Sequence, residues 1–175
     1  MRILLISQYF WPEQFTINEV VKLISKKNYI EVLTGKPNYP NGKFFDGYNF
    51  FNKTLEKYNK INVFRCPVIP RRNGSTLNLI LNYFSFLIFS IFFLFYISFR
   101  KYDLILTYQT TPITVAIPGI ILSKIKKIPF IIWVQDLWPD TIKATGHINN
   151  NKIYNLTKII SNYIYKSSTV ILTQS

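Results

Sequence analysis

The chain has 175 residues, 49% hydrophobic, 17% aromatic and 17% charged, enough apolar side chain to fill one core of ordinary domain size, which excludes a disordered tail. Against 8 Asp and Glu stand 21 Lys and Arg, a net charge of +13, so anionic partners are favoured: phosphates, a membrane surface or nucleic acid. A single Cys and a single His exclude an internal disulfide and a four-ligand zinc site.

The N-terminal run Ile3-Leu4-Leu5-Ile6 turns polar at Ser7 and Gln8. It is too short for a signal-peptide core and reads as a first strand, Arg2 to Ile6, of a cytoplasmic protein. A helix follows, opened by a capping box of Thr16 and Glu19, with Ile17, Val20, Val21 and Ile24 facing inward and Asn28 as a stop. Further strands are predicted at Tyr29 to Leu33, Ile61 to Arg65, Leu104 to Thr107, Phe130 to Val134 and Val170 to Leu172. The remaining helices are predicted at Leu77 to Phe99, Thr114 to Lys126 and Tyr154 to Lys166. Short Ile- and Val-rich strands alternating with helices are the pattern of a parallel sheet covered by helices, so the expected fold is one doubly wound α/β domain over residues 1–175.

Thr76 to Phe99 carries no charge, and as a helix of about 23 residues it is roughly 34 Å long, enough to span a bilayer. Three observations oppose a span. Strands of the same sheet lie on both sides of it. Arg71 and Arg72 before it and Arg100 and Lys101 after it give no orientation bias. Asn78, Asn82 and Ser85 share one helical face, as in a helix amphipathic over its first half. The segment is therefore expected to be buried or to lie in the plane of a membrane.

In an open parallel sheet, ligands bind beyond the carboxyl ends of the strands. The unusual residues of this chain collect there: Trp11-Pro12-Glu13 after the first strand, Gly35-Lys36-Pro37-Asn38-Tyr39-Pro40 after the second, and Pro70-Arg71-Arg72-Asn73-Gly74-Ser75 after the third. Tyr108-Gln109-Thr110-Thr111-Pro112 follows the fourth and Gln135-Asp136-Leu137-Trp138-Pro139-Asp140 the fifth. Glu13 and Asp140 are either site carboxylates or helix-start acids behind a Pro at the first helical position. Lys36, Arg71 and Arg72 suit phosphate or pyrophosphate, the Arg as a planar fork and the Lys as a point charge, unless they are only solvated. Asp136 ends an apolar strand where an unpaired carboxylate is costly, which makes it the first candidate for a working group. His147 reads as a surface cap and Cys66 as a buried packing residue.

No G-x-G-x-x-G follows the first strand, which argues against a dinucleotide domain; neither a P-loop nor a G-x-S-x-G elbow occurs. The aromatics do not interleave with the basic residues as on a nucleic-acid platform, so nucleic acid is not an expected partner. No metal site is expected.

Read together, Ser7-Gln8-Tyr9-Phe10-Trp11-Pro12-Glu13, the stretch Leu33 to Gly42 leading to Gly47-Tyr48, Pro70 to Ser75, Leu81-Asn82-Tyr83-Phe84-Ser85-Phe86 and Val134 to Asp140 resemble the N-terminal half of glycosyltransferase family 4. They are similar in particular to sugar transferases of bacterial capsule, O-antigen and colanic-acid synthesis, including N-acetylfucosamine transferases. The resemblance implies the N-terminal, Rossmann-like half of a GT-B enzyme, the half that holds the acceptor. The donor-binding C-terminal domain, with the carboxylate pair that grips the donor, is absent from these residues. It further implies a retaining, metal-independent transfer with no cofactor, from a nucleotide-sugar as co-substrate to a polyprenyl-diphosphate-linked acceptor, by a protein peripheral on the inner face of the cell membrane. Asp136 is then the catalytic candidate, and Glu13, Lys36, Asn38, Tyr39, Arg71, Arg72, Trp138 and Asp140 are the substrate-binding candidates. Two departures stand out: many relatives carry a His after the strand corresponding to Phe130 to Val134, where this chain has Gln135-Asp136, and their Gly-rich first turn is replaced by Trp11-Pro12-Glu13. The alternative expectation is a non-catalytic product of a truncated gene, or a membrane-binding subunit that works with a separate donor-domain chain.

Overall fold

A computed structural model describes residues 1–140 and 151–174. Its elements are β1 (Arg2–Ile6), α1 (Thr16–Ile24), β2 (Tyr29–Gly35), β3 (Leu55–Tyr58), β4 (Ile61–Cys66), α2 (Thr76–Ser98), β5 (Leu104–Gln109), a 3-10 turn (Ile113–Ala116), α3 (Ile117–Lys126), β6 (Phe130–Val134), α4 (Asn151–Ser167) and β7 (Val170–Thr173). The expected doubly wound α/β sheet forms, in the order β3-β4-β2-β1-β5-β6-β7. All neighbours are parallel except β3 and β4. The winding reverses between β1 and β5, so the loops after these two strands diverge and leave a crevice at their carboxyl ends.

Side chains alternate across a strand, and β1 shows what that does to the core. Ile3 and Leu5 point to one face, where with Val32 and Val63 they bury Ile17 and Val21 of α1. Leu4 and Ile6 point to the other, where with Leu33 and Phe64 they meet Phe86, Leu94 and Ile97 of α2, Ile120 and Leu122 of α3 and Ile164 of α4. One helix therefore covers the first face, while three cover the second. Gly119 lets α3 approach closely: a Cβ there would stand 2.6 Å from the Phe130 ring.

Three local expectations are corrected. The capping box of Thr16 and Glu19 does not form: Phe15 is the N-cap, without a side-chain cap, and Glu19 pairs with Lys22 at 2.6 Å. The reason is local competition, because Asn18 ties the incoming chain down instead, its Oδ1 accepting the Trp11 N–H at 3.0 Å and its Nδ2 donating to the Glu13 carbonyl at 2.7 Å. Pro12 is not at a first helical position, since α1 starts at Thr16. The sheet also has a seventh strand: β3 pairs antiparallel with β4 through a tight turn, with Asn59 at φ 54. His147 lies outside the described residues.

Candidate functional site

The carboxyl edge is built around Glu13. Its side chain is buried, and its carboxylate accepts three backbone N–H groups, from Asn38 at 2.9 Å, Tyr39 at 2.8 Å and Phe10 at 3.2 Å. Burial pushes its pKa up to about 7, while the three amides and the nearby Arg65 pull the other way. Glu13 is thus neither a helix-start acid nor a free site carboxylate: it staples the loop after β1 to the loop after β2.

Asn82 of α2, wholly buried, does the same for a third element. Its Oδ1 accepts from Gln8 Nε2 at 2.8 Å, and its Nδ2 donates to the Ile69 carbonyl at 2.6 Å and to Asn38 Oδ1 at 3.3 Å. Asn38 Oδ1 in turn accepts the Arg71 N–H at 3.1 Å. A shared polar network of this kind fixes the loops after β1, β2 and β4 as one unit. Arg65, wholly buried in β4, extends it by donating to the Gly35 carbonyl at 3.1 Å, to the Trp11 carbonyl and to Glu56 of β3.

On this platform stand the rings. Tyr9 stacks on Phe15 with centroids 5.3 Å apart, and the exposed Tyr39 leans on both, at 5.5 and 5.4 Å. The Arg71 guanidinium lies over Tyr39 at 5.1 Å and Tyr9 at 5.9 Å, a cation–π placement, and among the described residues it forms no ion pair. Tyr83 of α2 closes the group: burial raises its pKa, and it feels both Arg71 and Asp136 across the crevice. Asp136, half-buried, accepts the Thr111 N–H at 2.8 Å and the Thr111 hydroxyl at 2.7 Å, both on Oδ2; Oδ1 has no hydrogen bond among the described residues.

Several buried polar atoms along this edge have no partner among the described residues: Gln8 Oε1, Lys36 Nζ, Gln109 Oε1, Thr110 Oγ1 and Gln135 Nε2, from the ends of four neighbouring strands. Buried polar groups are normally satisfied, so a row of orphans marks a place where a polar ligand or solvent belongs.

The predicted candidates therefore separate. Tyr39, Arg71 and Asp136 come together around the crevice, and Asn38 holds the floor beneath them. Arg72 is exposed beside it, tied only through its backbone N–H to the Gly42 carbonyl at 2.8 Å. Lys36 runs under the loop, fully buried near Arg65, and burial followed by that guanidinium lowers its pKa to about 8. Trp138, half-buried, packs against the core and reaches Thr111 Oγ1 at 3.4 Å. Asp140, exposed, accepts from Tyr154 of α4 at 3.0 Å and stands on the outer flank. Sequence reasoning placed Thr111 at this edge, and Gln8, Asn82 and Tyr83 within the resembling stretches, without giving any of them a role, and it missed Phe15 and Arg65; the available signal was the polar face of Asn78, Asn82 and Ser85 on an otherwise apolar helix. Among the described residues no group of three or more His, Cys, Asp or Glu is placed to hold a metal.

No protein-family model matches the chain, and no curated protein matches it.

Proposed function

We propose that the chain is the acceptor-side half of a membrane-associated glycosyltransferase that moves a sugar from a nucleotide-sugar to a polyprenyl-diphosphate-linked acceptor. The observation that carries this is Arg71, which forms no ion pair among the described residues, beside a carboxyl edge that holds orphaned polar atoms. A guanidinium with no carboxylate partner offers its fork to a phosphate. The exposed Tyr39 ring beside it offers a face to a sugar ring. Asp136 has one oxygen anchored by Thr111 and the other without a hydrogen bond among the described residues, the arrangement of a group that accepts a hydrogen bond, or a proton, from an acceptor hydroxyl. That hydroxyl oxygen forms the new bond to the donor's anomeric carbon as the bond to the nucleoside diphosphate breaks. The resemblance to glycosyltransferase family 4 assigns the donor contacts to a second domain or chain, so these residues alone are expected to show no turnover.

The test joins this domain to a donor domain and supplies nucleotide-sugar and a short-chain prenyl-diphosphate sugar. Asp136→Asn is expected to fold and to lower kcat by well over about tenfold, as removal of a general base does. Arg71→Ala is expected to raise the acceptor KM. Near-normal kinetics in both variants overturn the reading, as does turnover by this chain on its own.

A further inference from the structure

Helix α2 is built inside out. Its inner face carries Asn82, Ser85 and Ser90 among Phe86, Leu94 and Ile97, and Ser85 Oγ accepts the Ile69 N–H at 2.9 Å. Its outer face is uncharged and largely apolar: Leu77, Ile80, Phe84, Phe92 and Phe95 recur at helical spacing and are all exposed, Phe95 at 76%. A soluble surface helix normally shows the opposite pattern, and a continuous exposed stripe of this length marks an interaction surface. Helix α4 continues the layer with exposed Leu156 and Ile159. An open apolar groove of about 460 Å³, lined by Leu55, Phe64, Phe92 and Tyr96, borders the stripe.

The helices of this layer carry charge of one sign. Neither α2, α3 nor α4 contains an Asp or Glu, whereas Lys124, Lys126, Lys152, Lys158 and Lys166 lie on α3 and α4. Helix α1, on the opposite face of the sheet, does carry an acid, Glu19. Two acids stand at the margins of the α2–α3–α4 layer, Asp140 bonded to Tyr154 of α4 and Asp103 beside Phe99 and Lys126, so cations outnumber acids around the apolar stripe. That balance complements an anionic bilayer surface: the rings enter the acyl boundary and the ammonium groups meet the headgroups.

We propose that the α2–α3–α4 layer lies flat on an anionic membrane, with α2 in the plane and not across it. The hydrogen bonds of Asn82 to Gln8, Asn38 and Ile69 hold α2 against the sheet, so a span would break the polar network of the candidate site. Because α2 starts just after Arg71 and Arg72, docking in this pose brings those two cations to the bilayer surface, where the phosphates of a lipid-linked acceptor lie. That last link rests on the sugar-transfer reading; the docking itself does not.

Flotation of the chain with vesicles, without donor or acceptor, tests it. Vesicles of phosphatidylcholine with phosphatidylglycerol are expected to bind at least about tenfold more tightly than phosphatidylcholine alone, with the difference lost at high salt. Phe84→Glu with Phe95→Glu is expected to remove at least another tenfold, and Leu156→Glu with Ile159→Glu repeats the test on a second helix should the first pair fail to fold by circular dichroism. Alkaline carbonate is expected to release the protein. The proposal is overturned by absence of vesicle binding, by binding indifferent to both substitution pairs, or by carbonate resistance with Asn18 and Lys158 protected on opposite sides. A dimer broken by the same substitutions, without vesicle binding, overturns it in favour of a second copy of the chain. Loss of sugar transfer in the two-domain enzyme leaves the vesicle result untouched, so the two readings fail separately.

Discussion

The two halves of the carboxyl edge are built on different terms. On the β1, β2 and β4 side, loops are bonded to one another through side chains that reach distant backbone: Glu13 to residues 38 and 39, Asn82 to Gln8, Asn38 and Ile69, Arg65 to Gly35 and Trp11. On the β5 and β6 side, the described residues share few such bonds: the Asp136 pair with Thr111, the Trp138 contact to the same hydroxyl, and Gln174 Nε2 donating to Gln135 Oε1. A carboxylate with both oxygens engaged is a fastener, and one with an oxygen left open is available for chemistry. Glu13 and Asp136, similar in sequence setting behind a strand and beside a Trp-Pro pair, fall on opposite sides of that division.

Substitutions that break the bonded half should act on stability, those in the open half on function. The largest effect is expected for Glu13→Ala, which orphans three amides in a buried site; a loss of about 3–5 kcal/mol in urea unfolding is expected, since each unmet buried donor costs about 1–3 kcal/mol. Asn82→Ala should follow at about 2–4 kcal/mol, because one side chain serves three partners. The pH dependence comes next. With its pKa raised to about 7 in the folded state, Glu13 holds its proton more tightly there than in the unfolded chain. The stability so contributed is complete below the ordinary carboxyl pKa of about 4.3 and is lost as pH rises through 7, amounting to on the order of 3 kcal/mol at most. Unfolding curves at pH 5 and pH 8 should therefore differ more for the wild type than for Glu13→Gln, and equal differences would show that Glu13 does not titrate in this range. In the open half, Asp136→Asn keeps an oxygen for the Thr111 N–H and should change stability by less than about 1 kcal/mol. Asp140→Asn, exposed, should stay within about 0.5 kcal/mol by thermal melting; a larger cost than that of Asp136→Asn would reverse the assignment of the two carboxylates.

The sheet was legible because its signal is local. Six strands are apolar runs, and the helices between them follow the spacing of buried residues, so order and class came from periodicity. Strand β3 was not legible: Leu55-Glu56-Lys57-Tyr58 is half charged and half exposed, and it is a strand only through its pairing with β4. The edge position of the site was legible from where strands end. The division of labour within it was not, since the partners of Glu13 lie 25 and 26 residues further along the chain and those of Asn82 up to 74 residues back. Arg65 shows the same limit: within an apolar strand it reads as one polar interruption, whereas its guanidinium joins β4 to β2, the β1 loop and the edge strand.

Gly42 sits at φ +69, and a Cβ there would lie 1.7 Å from the Arg72 carbonyl oxygen, closer than any contact can be. The loop after β2 and the loop after β4 therefore cross backbone to backbone at that point, sealed by the Arg72 N–H to the Gly42 carbonyl. Anyone seeking to change what the crevice accepts by grafting loops from elsewhere must transplant the segments around residues 37–48 and 70–75 together, because either one alone meets a partner shaped for a different neighbour. The same crossing makes the pair inherit as a unit: an insertion in one is tolerable only alongside a matching shift in the other.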